Sequence, residues 1–236
     1  MCSSDLEAIN ESIDKSLLEE EDKWIISRVN TVIKEVTENL DKYEIGMAAQ
    51  HMYEFIWDEY CDWYIEMVKP RLYGEDIQSK ETAENVLLYV LENILKLLHP
   101  FMPFITEEIW EHLPNRQKPL IVSEWPVYNE EKKNAESERN MIFVMDAIKG
   151  IRNARQEMNI APSRKSTLIF VTEDDDVKDL IVYGKGYFIN LASADNIEIQ
   201  DNKADLGENN LSVVLNRCEV FIPLKDLIDL DKEIER

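Results

Sequence analysis

Three residues near the start of the chain combine an aromatic ring with positive charge. Lys23 and Trp24 are adjacent, and Arg28 follows Trp24 by four positions, so a helix would place Trp24 and Arg28 on one surface. Indole rings and guanidinium planes can stack on unpaired nucleic-acid bases, and a guanidinium can also hydrogen-bond to a base edge. A lysine near the positive end of a helix favours a phosphate. The chemistry that this group could perform is therefore binding rather than catalysis.

A second concentration of positive charge lies between residues 149 and 165. The basic residues of this segment are Lys149, Arg152, Arg155, Arg164 and Lys165. Glu157 is the one acidic residue among them. The whole chain is strongly acidic, with 26 basic and 48 acidic residues and a net charge of −22. That balance argues against a protein that holds nucleic acid through a general basic field. A contact with a polyanion is expected only where the basic residues gather.

The sequence lacks the motifs of common enzymes. Its six glycines form neither a GxxxxGK[ST] nor a GxGxxG phosphate-binding loop, and HExxH and GxSxG are missing. The cysteines and histidines are isolated, which predicts no disulfide scaffold and no metal site: Cys2, Cys61, Cys218, His51, His99 and His112. We expect the histidines to be caps or packing residues.

No apolar run approaches the roughly 18 residues of a membrane helix, and the start does not resemble a signal peptide. These features predict a cytoplasmic protein.

Apolar residues at helical spacing predict helices over residues 19–40, 44–69, 79–98, 104–113 and 130–158. The second, which Pro70 is expected to end, is apolar over most of its circumference and is predicted to be the central helix of a bundle. The larger aromatic residues on these stripes are predicted to lie in the core: Trp57, Tyr60, Trp63, Tyr64 and Trp110. On the first helix, Trp24 lies about 120° and Arg28 about 80° from the centre of the apolar stripe. Both are therefore expected off the main core face.

The residues after Pro162 have a different pattern. Short β-branched runs over 167–171, 196–200, 211–215 and 219–222 predict strands, with a short helix over 175–182. A further extended candidate covers residues 120–122. The predicted fold class is mainly α, a helical bundle followed by a small α+β domain. The predicted organisation is a polar lead-in over 1–18, the bundle over 19–134, a connecting helix with the small domain over 135–223, and the start of a truncated C-terminal helix or coiled coil over 224–236.

Four ordered segments resemble one known family. The segment 97–110, LLHPFMPFITEEIW, resembles a signature of the helical anticodon-binding domain of class I aminoacyl-tRNA synthetases. The segments 22–30, 61–70 and 151–158 look like the same family, and the runs CDWY and RxxRxEM look most like its valine-specific branch. The resemblance covers about residues 19–236. Nothing resembles the HIGH or KMSKS motifs, the editing domain or the helix that precedes segment 22–30. The resemblance therefore implies an excised C-terminal fragment.

The resemblance carries expectations about partners and site residues. It implies a module that binds a tRNA specific for valine and positions it for ATP-dependent aminoacylation during translation, with no catalytic residue of its own. Lys23, Trp24 and Arg28 correspond to anticodon contacts of the family. Arg152 and Arg155 are further candidates, for contacts with the tRNA backbone. No cofactor is implied for the fragment, whereas ATP and magnesium are implied for the whole enzyme. Neither a membrane nor DNA is an expected partner, and the whole enzyme is expected to be monomeric.

Several alternatives remain open from the sequence. Trp24 could fasten the helix start to the bundle, and Arg28 could pair with an acid of the first turn or with Glu35. Arg152 and Arg155 could face solvent or an acidic neighbour. The chain could instead resemble an isoleucine or leucine enzyme most closely, or serve as an acidic helical scaffold for protein partners. A stand-alone hydrolase has no set of residues to support it.

Overall fold

The structure is a computed structural model that describes residues 14–114, 118–161, 163–204, 206 and 209–224. Most of the predicted lead-in and of the predicted truncated helix, residues 1–13 and 225–236, lies outside the described residues. The chain divides into two compact units, with the division between Met141 and Ile142. In the part of the chain that the structure describes, no helix is long and apolar enough to cross a membrane.

Within residues 14–114 and 118–141, the first unit is built from four helices and the start of a fifth. α1 spans Glu20–Asp41. α2 consists of Ile45–Glu54, a π-helical stretch Phe55–Tyr64 and Ile65–Leu72. α3 spans Ile77–Leu98, α4 spans Pro103–Glu111 and α5 spans Ala135–Glu157. Short 3-10 turns cover Lys15–Leu17, Leu120–Val122 and Glu130–Lys132. The helices predicted from apolar spacing are therefore confirmed.

The helix starts follow from their capping residues. Glu19 and Asp22 form a capping box at α1, in which Asp22 accepts the backbone N–H of Glu19 at 3.1 Å. Asp76 caps α3 by accepting the N–H groups of Gln78 and Ser79, and Pro103 occupies the first turn of α4. Each cap satisfies backbone donors that lack a partner within the first turn.

Two local expectations are wrong. Pro70 does not end α2, which continues to Leu72, because a proline near a helix end removes a single hydrogen bond; the N–H of Tyr73 still donates to the carbonyl of Lys69 at 3.2 Å. The segment 120–122 is a 3-10 turn rather than an extended strand. Leu120 is buried with Leu95 and Trp110, and its N–H donates to Glu107 at 2.7 Å.

The core of the bundle contains most of the aromatic residues that the stripes placed there. Tyr60, Trp63, Tyr64 and Trp110 are buried as predicted, but Trp57 is 52% exposed, so its predicted core position is wrong. The histidines act as expected in local contacts. For example, His99 Nδ1 lies 2.8 Å from Thr106 Oγ1, and His112 Nδ1 lies 2.7 Å from the carbonyl of Glu108.

The second unit combines a four-stranded sheet with helices. The elements after α5 are Ser166–Val171 for β1, Asp175–Tyr183 for α6, Lys185–Leu191 for α7, Ala194–Gln200 for β2, Asn210–Val214 for β3 and Glu219–Pro223 for β4. The strand order is β2-β1-β4-β3, with β1 parallel to β2 and the other pairs antiparallel. The parallel pair requires a crossover, which α6 and α7 supply. The predicted α+β unit is confirmed, and α7 was not predicted.

One side of this sheet is covered by helices. Leu168, Phe170, Val220 and Ile222 alternate along β1 and β4 and are completely buried, and the ring of Phe170 lies 5.0 Å from that of Phe188 on α7. On α5, a Cβ atom added to Gly150 would approach Cγ1 of Val213 to 2.8 Å. Glycine at this position therefore permits the close approach of α5 to β3.

A buried ionic network joins α1, α2 and α3. Arg71 Nη1, near the end of α2, lies 2.8 Å from Glu21 and 2.9 Å from Asp22, whose side chains have no exposed surface. The guanidinium also donates to Ser79 Oγ at 2.9 Å, at the start of α3, and Tyr64 donates to Asp22 at 2.7 Å. Burial and the neighbouring Glu21 carboxylate raise the pKa of Asp22. The two carboxylates therefore depend on Arg71 for compensation of their charge.

Replacement of Arg71 tests this dependence. We expect Arg71→Met to lower the free energy of unfolding by about 3–5 kcal/mol, because it leaves two buried carboxylates without their cation. Since the pKa of Asp22 is raised in the folded state, the folded protein binds more protons than the unfolded one between the two pKa values. Stability therefore falls as pH rises through the folded-state pKa of Asp22, and the loss in Arg71→Met is expected to be larger at pH 8 than at pH 5. Urea unfolding at both pH values measures it.

The matched control is Lys80→Met, which removes a cation from an exposed pair whose charged atoms are 3.9 Å apart. It should change stability by less than about 0.5 kcal/mol. Asp22→Asn should reduce the pH dependence of the Arg71→Met loss. Equal losses at pH 5 and pH 8 would contradict the account.

Candidate nucleic-acid interface

Trp24 lies in the core of the first unit, and the expectation that it is off the core face is wrong. Its side chain is 1% exposed, so its ring cannot stack on a base in this conformation. The reason is a second buried face of α1. Asn30 exchanges two hydrogen bonds of 2.9 Å with the backbone of Asn129, and Ser27 Oγ accepts the N–H of Asn134 at 2.8 Å. The side chains of this face that make these contacts are polar, so a search for apolar spacing does not detect that the face is buried.

Lys23 is the most accessible of the three candidates on α1. Its side chain is 36% exposed, and Nζ lies 2.8 Å from Glu20 Oε1 one turn earlier. The first turn of α1 carries the three acids Glu20, Glu21 and Asp22. A phosphate that contacts the Lys23 ammonium at this helix start would therefore lie close to three carboxylates.

Arg28 is bound to a carboxylate of α2. Its Nε and Nη2 atoms each donate to Glu59 at 2.7 Å, a two-point contact, and the hydrogen bond to Glu59 raises the pKa of Arg28. The sequence alternatives named an acid of the first turn or Glu35 as the partner, and the structure shows Glu59 instead. This pair links α1 to α2. Because the Glu59 carboxylate compensates the guanidinium, little of the charge of Arg28 is available to a ligand.

Arg152 and Arg155 have different surroundings in the second unit. Arg152 is exposed, and its Nε donates to the carbonyl of Leu191 at 2.6 Å. Arg155 is 4% exposed and donates to Ser166 Oγ at 2.8 Å and to the carbonyl of Arg164. The Arg155 side chain is therefore not accessible to a tRNA backbone in this structure.

The structure exposes a pair of neighbouring aromatic rings: that of Trp57, which is predicted to lie in the core, and that of Tyr53. Tyr53 and Trp57 on α2 are 63% and 52% exposed, and their ring centroids are 6.3 Å apart. Trp57 lies within the π-helical stretch and Tyr53 two residues before it; π-helical distortions are frequent at functional sites. No signal in the sequence separates these rings from the buried Trp110, which like them precedes an acid.

Comparison with known proteins identifies the family. The family model described as the anticodon-binding domain of tRNA ligase matches residues 22–170. This chain belongs to that family. The anticodon-binding domain match therefore covers the whole first unit from Asp22 and the beginning of the second.

Individual relatives agree with the match. The chain is 49% identical to the valine–tRNA ligase of Clostridium tetani over 236 residues, which cover 95% of this chain and 26% of that protein. It is 48% identical to the valine–tRNA ligase of Clostridium perfringens over 215 residues, 91% of this chain and 24% of that protein. The chain thus spans about a quarter of the length of these relatives. A solved LeuRS from Agrobacterium radiobacter K84 is 16% identical, with a TM-score of 0.35 over 82% of this chain and 22% of that one.

The buried position of Trp24 predicts a structural role within the anticodon-binding domain. We expect Trp24→Phe to lower the free energy of unfolding by about 1–2 kcal/mol, because the smaller ring leaves a cavity. RNA binding, measured below the unfolding transition, should equal that of the wild-type chain. Trp57→Phe is the exposed counterpart and should change stability by less than about 0.5 kcal/mol. A Trp24→Phe protein of wild-type stability with weakened RNA binding would disprove the structural assignment.

Proposed function

We propose that this chain is the anticodon-binding part of a valine–tRNA ligase and that it binds a tRNA specific for valine. The observation that carries the proposal is the identity of 49% and 48% to two valine–tRNA ligases over more than nine-tenths of the chain. Similarity of this extent across both units favours the valine enzyme over the isoleucine and leucine alternatives. The function is to hold the tRNA while another part of the ligase acylates it.

The division of labour follows from this proposal. ATP and magnesium would bind in the part of the ligase outside this chain, where the amino acid is activated, and the residues described here would contribute binding energy only. We also propose that the ligase is monomeric and cytoplasmic, as the resemblance to the synthetase family implies. The contribution of this chain is measured as affinity for tRNA rather than as turnover.

Within the first unit, we propose that Tyr53 and Trp57 provide the aromatic planes for an unpaired base. Both rings are exposed and adjacent, whereas Trp24 is buried. Stacking of a base on an aromatic side chain contributes about 1–3 kcal/mol. Lys23 remains a proposed phosphate contact, since its ammonium is partly exposed.

A binding titration tests the function. We expect the chain to bind a tRNA-Val transcript more tightly than the same transcript with an altered anticodon, with a preference that persists as salt is raised. The net charge of −22 repels RNA, so the measurement begins at low salt, where the few favourable contacts are strongest. Equal affinity for the two transcripts at every salt concentration would reject anticodon recognition by this chain.

A second titration tests the aromatic pair. Trp57→Ala is expected to weaken binding of tRNA-Val by about 5- to 150-fold, the equivalent of one lost stacking contact of about 1–3 kcal/mol. The matched control is Tyr73→Ala, which removes an aromatic side chain that is 85% exposed at the far end of α2. Similar affinities of the two variants would exclude Tyr53 and Trp57 as the stacking site.

A further inference from the structure

α2 changes its exposed side part-way along its length. Tyr53, Trp57, Tyr64 and Val68 follow one another at multiples of the α-helical spacing, so a straight α-helix would keep them on one side. Tyr53 and Trp57 are 63% and 52% exposed, whereas Tyr64 and Val68 have no exposed surface. The side of the helix that faces the core has therefore changed between these two pairs.

The π-helical stretch Phe55–Tyr64 accounts for this change. Its wider turns close hydrogen bonds between residues five apart, as the N–H of Ile65 does with the carbonyl of Tyr60. Each residue therefore advances by less than the roughly 100° of an α-helix. The buried side shifts accordingly, because the residue that follows Phe55 in the core is Tyr60, five positions later. α-Helical turns that ran back from Tyr60 would instead turn Trp57 towards the core.

Two tyrosines of the stretch bind the neighbouring helices. π-Helical stretches are rare and usually limited to a single turn, so one of this length needs such support. On one side, Tyr60 donates to the carbonyl of Leu87 in α3 at 3.1 Å. On the other, Tyr64 donates to Asp22 of α1 at 2.7 Å. Both tyrosines are buried and lie in the second half of the stretch, so they fix its core side.

The middle of the stretch is held by the pair of Arg28 and Glu59. Glu59 follows Trp57 by two residues, and each of its carboxylate oxygens accepts one hydrogen bond of 2.7 Å, from Nε and Nη2 of Arg28. A two-point contact of this kind fixes the orientation of the carboxylate as well as its distance. The two side chains are only 27% and 22% exposed. The pair therefore restrains the rotation of α2 next to Trp57.

We propose that the Arg28–Glu59 pair positions the aromatic surface of Tyr53 and Trp57 by holding the π-helical stretch in the register that exposes Trp57. The proposal rests on the proposed function in taking this surface as the stacking site for an unpaired base of the tRNA. Arg28 is then a positioning residue that acts through α2. Loss of the pair lets the stretch return towards α-helical hydrogen bonding, which turns Trp57 away from Tyr53 and from solvent.

The exposure of Trp57 is measured first, on the full 236-residue chain without RNA. Fluorotryptophan replaces the tryptophans, and the fluorine NMR resonance of Trp57 is identified as the one that is missing from Trp57→Phe. A soluble gadolinium chelate relaxes this resonance in proportion to its exposure. We expect Arg28→Met and Glu59→Met each to reduce the relaxation several-fold, towards that of the buried Trp24.

The matched control is Lys133→Met. It removes the cation from another partly buried pair of the first unit, Lys133 with Glu138, whose charged atoms are 2.7 Å apart and whose side chains are 30% and 15% exposed. The change in charge equals that of Arg28→Met, but this pair does not contact the π-helical stretch. The relaxation of the Trp57 resonance should therefore equal that of the wild-type chain.

RNA binding then separates positioning from direct contact. Both methionine variants are titrated with a tRNA-Val transcript at low salt, and we expect each to weaken binding by roughly 5- to 50-fold, within the loss of one stacked base. Arg28→Met removes a positive charge and Glu59→Met a negative one, so overall charge cannot explain weakening by both. If Arg28 contacts the RNA directly, Glu59→Met frees its guanidinium and strengthens binding, which would overturn the proposal.

Combination with Trp57→Ala tests whether the pair acts through this ring. In a chain that already carries Trp57→Ala, Glu59→Met should change tRNA-Val affinity by less than about twofold, because the contact that Glu59 helps to position is already lost. Losses that add independently would show that the pair affects RNA binding by another route and would overturn the positioning role.

The outcomes also separate this proposal from the proposed function. Loss of Trp57 exposure in both methionine variants without any change in tRNA affinity would support the control of register and reject Tyr53 and Trp57 as the stacking site. Unchanged exposure in both would overturn the proposal whatever the RNA result. If the methionine variants do not fold, Arg28→Lys decides, since it keeps the charge but cannot make the two-point contact: reduced exposure of Trp57 supports the proposal, and wild-type exposure overturns it.

Discussion

The bundle depends on the compensation of two buried carboxylates by one arginine. Glu21 and Asp22 have no exposed surface, and Arg71 contacts both from the end of α2 while it also binds Ser79 at the start of α3. A buried charge without its partner is far more costly than an apolar residue in the same place. The network therefore restricts how the start of α1 can lie against α2 and α3, and Trp24, two residues after Asp22, is buried in that arrangement.

Negative charge limits how a member of this family can bind RNA. With 48 acidic against 26 basic residues, much of the basic charge is committed to internal pairs, such as Arg71 with Glu21 and Arg28 with Glu59. A protein of this kind gains little from long-range attraction, so its affinity must come from short-range contacts: aromatic faces and a few basic side chains held in fixed positions. Tyr53 and Trp57 on α2 are aromatic faces of this exposed kind.

Similarity to relatives shows the family of the chain, whereas the local geometry shows which of its side chains are accessible. The match over residues 22–170 and the identity to valine–tRNA ligases establish the family, yet they do not show which side chains are accessible. Of the five basic and aromatic residues singled out in the sequence, two are buried and a third forms a two-point contact with Glu59. Motif residues of a family can thus be fixed by packing, and accessibility must be examined at each position.

The sequence alone predicts the fold class and most of the helices and strands. Apolar spacing predicted the helices of the bundle, and β-branched runs predicted all four strands, because these periodicities follow from local geometry. It failed at Pro70 and at residues 120–122, where the outcome depends on contacts with distant residues. It also failed for α7, a helix of seven residues that carries little periodic signal.

Which side chains a ligand can reach depends on the tertiary structure. Trp24 is buried because a polar face of α1, with Ser27 and Asn30, is covered by hydrogen bonds to residues about 100 positions later. Arg155 is buried by carbonyl groups of a loop, and Trp57 is exposed although it lies on an apolar stripe. Helical periodicity gives the angle of a side chain around its own axis. It does not show which residues pack over that side chain, because the fold of the whole chain brings those residues there.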